Sequence, residues 1–316
     1  MNENTKEEYR RLAKHFYTKH GIVKPTAKTV CDALKDCATD YRPDYWRRLR
    51  TALALMAEES GFYKAANKIK ATINPITADR NKRSQIKPKQ KRQKTVNTAD
   101  QKQLLDYLVD KKERTVFAGV ELVSHLGCRP AELRNLQFVG SCYIAISSAK
   151  KTEDGTRGLD RILEIKDNSI FNSLKECHEM LINAPYSDPI RYVQKRLDTL
   201  TQRLWPKRKV RPSLYSWRHQ MGADLKASDL PSEEIAAIMG HQSINSVQVY
   251  GNPRSAQHSR NYLKPDKGIV RQVQKRNQHR LTKHKDEPIT LNNISRWIKQ
   301  NHHAARGRPR PDIEPH

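Results

Sequence analysis

The chain of 316 residues has no paired-cysteine motif and no long apolar run, and it is short of acidic residues relative to its basic ones. Its five cysteines (Cys31, Cys37, Cys128, Cys142 and Cys177) are odd in number and form no C-x-x-C pair. Neither a disulfide framework nor a zinc knuckle is therefore expected, and the cysteines read as buried thiols. The longest apolar stretches, such as Ile235 to Met239, fall far short of the ~20 residues that span a bilayer, so no membrane partner is expected. Met1 to Glu8 are polar and partly acidic, without the apolar core of a secretory signal, so the expected location is cytoplasmic, with the nucleoid. No internal repeat of solenoid period is present. With 60 Lys and Arg against 34 Asp and Glu, the formal charge is +26. A polyanion is the expected partner, and nucleic acid is the first candidate.

The length suits about two domains, each able to bury its own core. From Lys6 to about Ile69 apolar residues recur at three and four positions (Tyr9, Leu12, Phe16, then Val30, Leu34, then Trp46, Leu49, Leu53), and Gly21, Pro25, Pro43 and Gly61 divide the text into about four short helices. Residues 1–79 therefore read as a small all-helical domain. Between Arg80 and Lys94 stand eight basic residues and no acidic one, with Ile86 the only apolar side chain, so 80–97 reads as a basic interdomain linker suited to lie along phosphates. Residues 98–264 read as a mostly helical domain with a small antiparallel sheet. Thr98 is the expected N-cap of its first helix, Val116 to Leu126 write a second, and Pro130 starts a third. Ser141 to Ser147 and Leu159 to Ile165 are the two arms of a β-hairpin. The fold class expected is mainly α, an all-helical domain followed by an α+β one. Residues 265–316 form a basic tail. It carries one amphipathic segment (Leu291, Ile294, Trp297, Ile298, with Thr290 as its cap) and the run Arg306 to Arg310, which is similar to an AT-hook.

Three separated segments carry a more specific signal: G-C-R-P-A-E-L from Gly127 to Leu133, Lys151-Thr152 in the hairpin turn, and S-L-Y-S-W-R-H-Q followed by I-M-G-H-Q and then Tyr250. In order and spacing these resemble the tyrosine recombinase, or phage integrase, family. The resemblance is detailed over about Thr98 to Lys264 and holds only in outline for the N-terminal domain. It implies a core-binding-type DNA-binding domain at 1–79 and a catalytic domain at 98–264, which together clamp duplex DNA. It also implies a homotetramer on paired recombination sites, with accessory DNA-bending proteins as possible further partners. The implied site is Arg129, Lys151, Tyr215, Arg218, His241 and Tyr250, with no cofactor and no metal. Lys150 rivals Lys151.

The chemistry can be argued from residue types alone. Transfer of a phosphodiester builds negative charge on the non-bridging oxygens, and the paired donors of Arg129 and Arg218 suit that charge. Tyr250 supplies a hydroxyl that attacks phosphorus and can leave again. Lys151 is placed to protonate the departing 5′-oxygen, and His241 to hydrogen-bond the phosphate or position the tyrosine. Where the family has His or Lys, this chain has Tyr215. A phenol donates a hydrogen bond but is a poor proton shuttle at its usual pKa of about 10. Tyr215 lies on the helical face of Arg218, which suits a phosphate contact; the other reading is a core aromatic beside Trp217. Three alternatives share much of this pattern: a topoisomerase IB-like enzyme, a telomere-resolvase-like enzyme, and a non-catalytic architectural DNA-binding protein.

Overall fold

The computed structural model describes residues 1, 3–151 and 158–273, and the chain divides into two compact units, Met1–Lys91 and the chain from Arg92 onward. The hairpin residues Thr152 and Gly155, the segment Thr290 to Ile298 and the run Arg306 to Arg310 lie outside the described residues.

The first unit contains α1 (Glu3–Lys19), α2 (Ala27–Asp36), α3 (Pro43–Glu59), α4 (Tyr63–Ala71) and the one-turn α5 (Pro75–Ala78). Local chemistry sets the starts. Thr26 caps α2 by accepting from the Thr29 N–H (3.1 Å), and Pro43 occupies the first turn of α3, where no N–H is needed. Trp46, Leu49 and Leu53 of α3 are buried with Phe16 and Leu34, and each such side chain contributes about 2 kcal/mol through burial. The Trp46 indole N–H donates to the Leu34 carbonyl (2.6 Å), which satisfies the polar end of a buried ring. The basic stretch expected as pure linker starts as a 3₁₀ helix, Arg80–Gln85, because Asp79 caps it and Ile86 packs at the edge of this core. Residues 87–97 contain neither helix nor strand.

The second unit opens with α6 (Thr98–Asp110) and α7 (Arg114–Leu126). Asn97 caps α6, with its side chain 2.7 Å from the Asp100 N–H, so Thr98 is the first helical residue and not the expected cap. After α7 the expected helix is only a 3₁₀ turn, Pro130–Asn135. The strands β1 (Leu136–Val139), β2 (Tyr143–Ile146) and β3 (Arg161–Ile165) follow, then α8 (Asn168–Ile182), α9 (Pro189–Leu204), α10 (Leu214–Lys226) and α11 (Ser232–Ile238). A 3₁₀ helix (Ile244–Val249) leads to Tyr250, and β4 (Leu263–Pro265) and α12 (Lys267–Gln272) close the described chain.

The four strands form one antiparallel sheet in the order β1-β2-β3-β4. β2 and β3 are the expected hairpin, whereas β1 and β4 were not anticipated. The core runs through α7 (Val120, Val123, Leu126) to Phe171 of α8 and Trp217 and Met221 of α10. It also continues past the expected domain end at Lys264, since that residue lies inside β4, and Ile269 and Val273 beyond it are 0% and 6% exposed. Among the described residues no helix is long and apolar enough to cross a membrane.

Candidate active site

The site begins where α7 ends. Arg129 stands in extended backbone just before the 3₁₀ turn, and this lets Glu132 reach back to it: the Arg129 N–H donates to Glu132 Oε2 (2.8 Å) and its guanidinium to Oε1 (2.5 Å). A second guanidinium, that of Arg161 on β3, meets Glu132 Oε2 at 3.0 Å. Glu132 and Arg161 are each 0% exposed, and Arg129 is 6% exposed. Burial alone would push the Glu132 carboxyl up, but Arg161, Arg129 and Arg218 together outweigh it and hold the group at about 2. The same surroundings make Cys128 inert, because burial first and Glu132 second push its thiol up to about 12.

Arg218, on α10, is fully buried. It donates to the carbonyls of Gly127 and Met239, the latter at 2.7 Å, and its Nη2 lies 3.0 Å from His241 Nε2. Burial, and next the Arg129 charge, lower its pKa to about 10, so it remains a cation at neutral pH. His241 sits just past Gly240, which closes α11 with φ +63° and whose carbonyl accepts from Arg129 (3.3 Å). A side chain at Gly240 is excluded twice, by that left-handed backbone and by Arg161 Nη1, which would lie 2.5 Å from its Cβ. Burial first, then Arg218, Arg129 and Arg161, lower His241 to about 2, so it is neutral. A guanidinium only donates, so Nε2 must accept from Arg218 and the proton sits on Nδ1, a buried donor without a protein partner. Tyr250 completes the group: the Arg218 guanidinium lies 4.8 Å from its ring centroid, and the His241 ring lies 4.9 Å from it.

Of the six residues picked out from sequence, Arg218, His241 and Tyr250 are thus linked by direct contacts, and Arg129 joins them through the Gly240 carbonyl beside His241. Tyr215 is 42% exposed, whereas Trp217 is buried, so Tyr215 is not the core aromatic of the alternative reading. Partial burial and then Tyr250 raise its phenol pKa, while Arg218 and Arg129 oppose the shift, which places it within electrostatic reach of the cluster. Lys151 donates to Asp160 Oδ2 (2.9 Å), and the other oxygen of that buried carboxylate accepts from the Ser148 N–H (2.8 Å). Lys150 is exposed, and its backbone N–H reaches Ser148 Oγ (3.4 Å).

Sequence reasoning missed Arg161 and Asp160. A signal for the first existed: Leu159, Arg161, Leu163 and Ile165 share one face of the strand by period-two alternation, and a cation among inward apolar residues needs a buried counter-charge. The cluster therefore sets three guanidiniums against one carboxylate. Arg129 Nε, Arg218 Nε, and Arg161 Nε and Nη1 are buried donors without a protein partner. Such an arrangement carries an excess of positive charge that an anion can neutralise. Among the described residues no group of three His, Cys, Asp or Glu side chains could hold a metal ion.

No family model and no curated protein sequence matches the chain. Solved structures do. A lambda integrase dimer bound to a COC′ core site is 15% identical, with 82% of this chain and 74% of that chain covered at a TM-score of 0.55. A lambda integrase tetramer bound to a Holliday junction is 14% identical with the same coverage and the same score of 0.55. The fragment 75–356 of lambda integrase, again as a dimer on a COC′ core site, is 15% identical, and the match covers 82% of this chain and 92% of that one at 0.55. Mainly helical, with a small antiparallel sheet beside its arginine cluster, the chain has the tyrosine recombinase fold.

Proposed function

We propose that the chain is a site-specific DNA recombinase that cuts and rejoins duplex DNA through a covalent link between Tyr250 and a 3′-phosphate. The observation that carries this reading is the convergence of Arg218 and His241 on the ring of Tyr250, with Arg129 held to the Gly240 carbonyl next to His241 and buried donors still unused. The phenol oxygen attacks phosphorus, the bond from phosphorus to the 5′-oxygen breaks, and the negative charge on the non-bridging oxygens falls to the two arginines and to His241 Nδ1–H. The phenol proton leaves to solvent, and the 5′-oxygen takes a proton from the Lys151 ammonium. His241 serves as a donor here, since a group with a pKa of about 2 is a weak proton acceptor. Tyr215, exposed beside the cluster, adds a neutral donor to the phosphate. Religation reverses each transfer.

The first unit is proposed to grip the duplex: from Phe62 to Lys91 stand nine basic residues and one acidic residue, Asp79. That the solved lambda integrase structures hold a core site in one case and a Holliday junction as a tetramer in another supports duplex DNA and a tetramer as the working partners. The test is covalent trapping on nicked suicide duplexes drawn from the DNA flanking the gene. Wild-type protein should form a link resistant to denaturant and untouched by EDTA, and Tyr250→Phe should form none while binding the same DNA with little change. A covalent complex with the phenylalanine variant would remove Tyr250 from the reaction. A divalent-ion requirement for cleavage would point to another enzyme class.

A further inference from the structure

We propose that one face of α10 is the seat that aims Tyr250, with Gly222 and His219 as its positioning residues; this rests on the reading of Tyr250 as the nucleophile. Tyr215, Arg218, His219, Gly222 and Lys226 recur at helical spacing and so lie along one stripe. Four of the five meet the turn that carries Tyr250. At Gly222 the helix backbone is the contact surface: an added Cβ would lie 2.9 Å from Tyr250 Cβ and 3.3 Å from its carbonyl carbon. The next residue is pressed as closely, since Gly251 has φ +62° and a Cβ there would stand 2.2 Å from the Ala223 nitrogen. Lys226 fastens the far side of the turn by donating to the Gly251 carbonyl (3.0 Å). Above the backbone the His219 ring packs 4.8 Å from the Tyr250 ring, completing with Arg218 and His241 a set of three planar groups around the phenol.

A nucleophile held at both its backbone and its ring has little freedom to wander. Attack in line on phosphorus needs that restraint, because a misplacement of about 1 Å lowers a rate by about 10²-fold. His219 acts through its shape and not through a proton, since it offers a flat ring to a flat ring.

The experiment compares Gly222→Ala with Gly119→Ala, a matched control. Gly119 is equally crowded, its Cβ falling 2.8 Å from Val193 Cγ1, but it packs α7 on α9 and touches nothing at the site. Cleavage of the suicide duplex is measured with DNA affinity, at a temperature where both variants are folded. In parallel, 3-fluorotyrosine at position 250 reports the ring by fluorine NMR without any DNA. Gly222→Ala should slow cleavage about 10- to 100-fold at unchanged affinity and shift or broaden the fluorine signal, while Gly119→Ala should change neither. His219→Ala should lose cleavage about 10-fold, and His219→Phe, which keeps a flat ring, should restore most of it. Equal cleavage by the two glycine variants together with an unmoved fluorine signal would overturn the seat. A phenylalanine variant as slow as the alanine one would overturn the shape role of His219. Failure of wild-type protein to form any covalent link would instead remove the recombinase reading, while the fluorine signal still tells whether α10 holds the ring.

Discussion

The second unit contains two buried polar clusters, and they are organised in opposite ways. In the first, Arg129, Arg161 and Arg218 surround Glu132 and leave buried guanidinium donors unused. In the second, Asp224 of α10 accepts from Gln220 (2.8 Å), from the Gln257 N–H (2.9 Å) and from Arg260 Nη2 (2.7 Å). Arg260 also donates from Nε to Asp224 (3.0 Å) and from Nη1 to the Tyr262 hydroxyl (3.0 Å), so none of its three nitrogens is left over. Tyr262 in turn meets His125 Nδ1 at 3.0 Å. Both clusters are buried and charged. The balanced one ties the chain after Tyr250 to the scaffold, and the unbalanced one keeps buried donors that no protein group uses. An excess of one sign with unmatched donors, more than burial or charge alone, is what singles out the first cluster as the candidate site.

That comparison can be broken most directly at its balanced member. Asp224→Ala leaves Arg260 buried without its carboxylate and should destabilise the protein by about 3 to 5 kcal/mol, read as a lower urea midpoint. A change below about 1 kcal/mol would mean that the network is ornamental. At the unbalanced member the effect should move from stability to rate. Arg129→Lys keeps the charge but loses the planar clamp, and it should raise the cleavage barrier by roughly 2 to 4 kcal/mol in single-turnover assays. Cleavage by this variant at near the wild-type rate would detach Arg129 from the chemistry.

Acid should attack both clusters through their histidines. Burial, with Arg260 and His258, lowers His125 to about 4, and His241 lies at about 2, each below the value of about 6.5 expected in the unfolded chain. Below pH 6.5 the unfolded chain therefore binds protons that the folded one refuses. Stability is full above that pH and falls as it drops toward 4, by about 1.4 kcal/mol per pH unit for each histidine. Denaturant midpoints between pH 7.5 and 4.5 test this. His125→Gln should flatten the slope and spare cleavage, and His241→Gln should flatten the slope and slow cleavage. The smallest effect is expected at Tyr215. If the phenol of this partly exposed residue donates one neutral hydrogen bond to the phosphate, Tyr215→Phe should slow cleavage about fivefold, near 1 kcal/mol, with an unchanged melting temperature. Identical rates would show that the phenol does not touch the phosphate.

What could be read in advance followed the range of the interactions involved. The helices of the first unit and the β2–β3 hairpin were legible because their signals are local, an apolar period or a capping side chain. Arg129, Arg218, His241 and Tyr250 were picked out through spacing within short motifs, and the fold gathers them around the end of α11 and the Tyr250 ring. Arg161 left only a partial trace, its place on the apolar face of β3, because its partner Glu132 comes into view only when β3 is laid beside the turn that holds that carboxylate. β1 and β4 were missed for a similar reason. β4 is three residues long, and its pairing of Lys264 with Glu164 joins distant parts of the chain, so a domain boundary drawn from composition fell inside it. Thr98 lost the cap of α6 to Asn97 by one position, a difference decided by side-chain reach.

The strand β4 also bears on mechanics. A DNA end joined to Tyr250 would pull on a loop anchored on both sides, upstream by the seat on α10 and downstream by Asp224 and then the β3–β4 ladder. Tension or torque in the duplex would pass into the folded sheet instead of being lost in a slack tether. The attached end would have little freedom to swivel, and the waiting 5′-hydroxyl would find its phosphate where it was left.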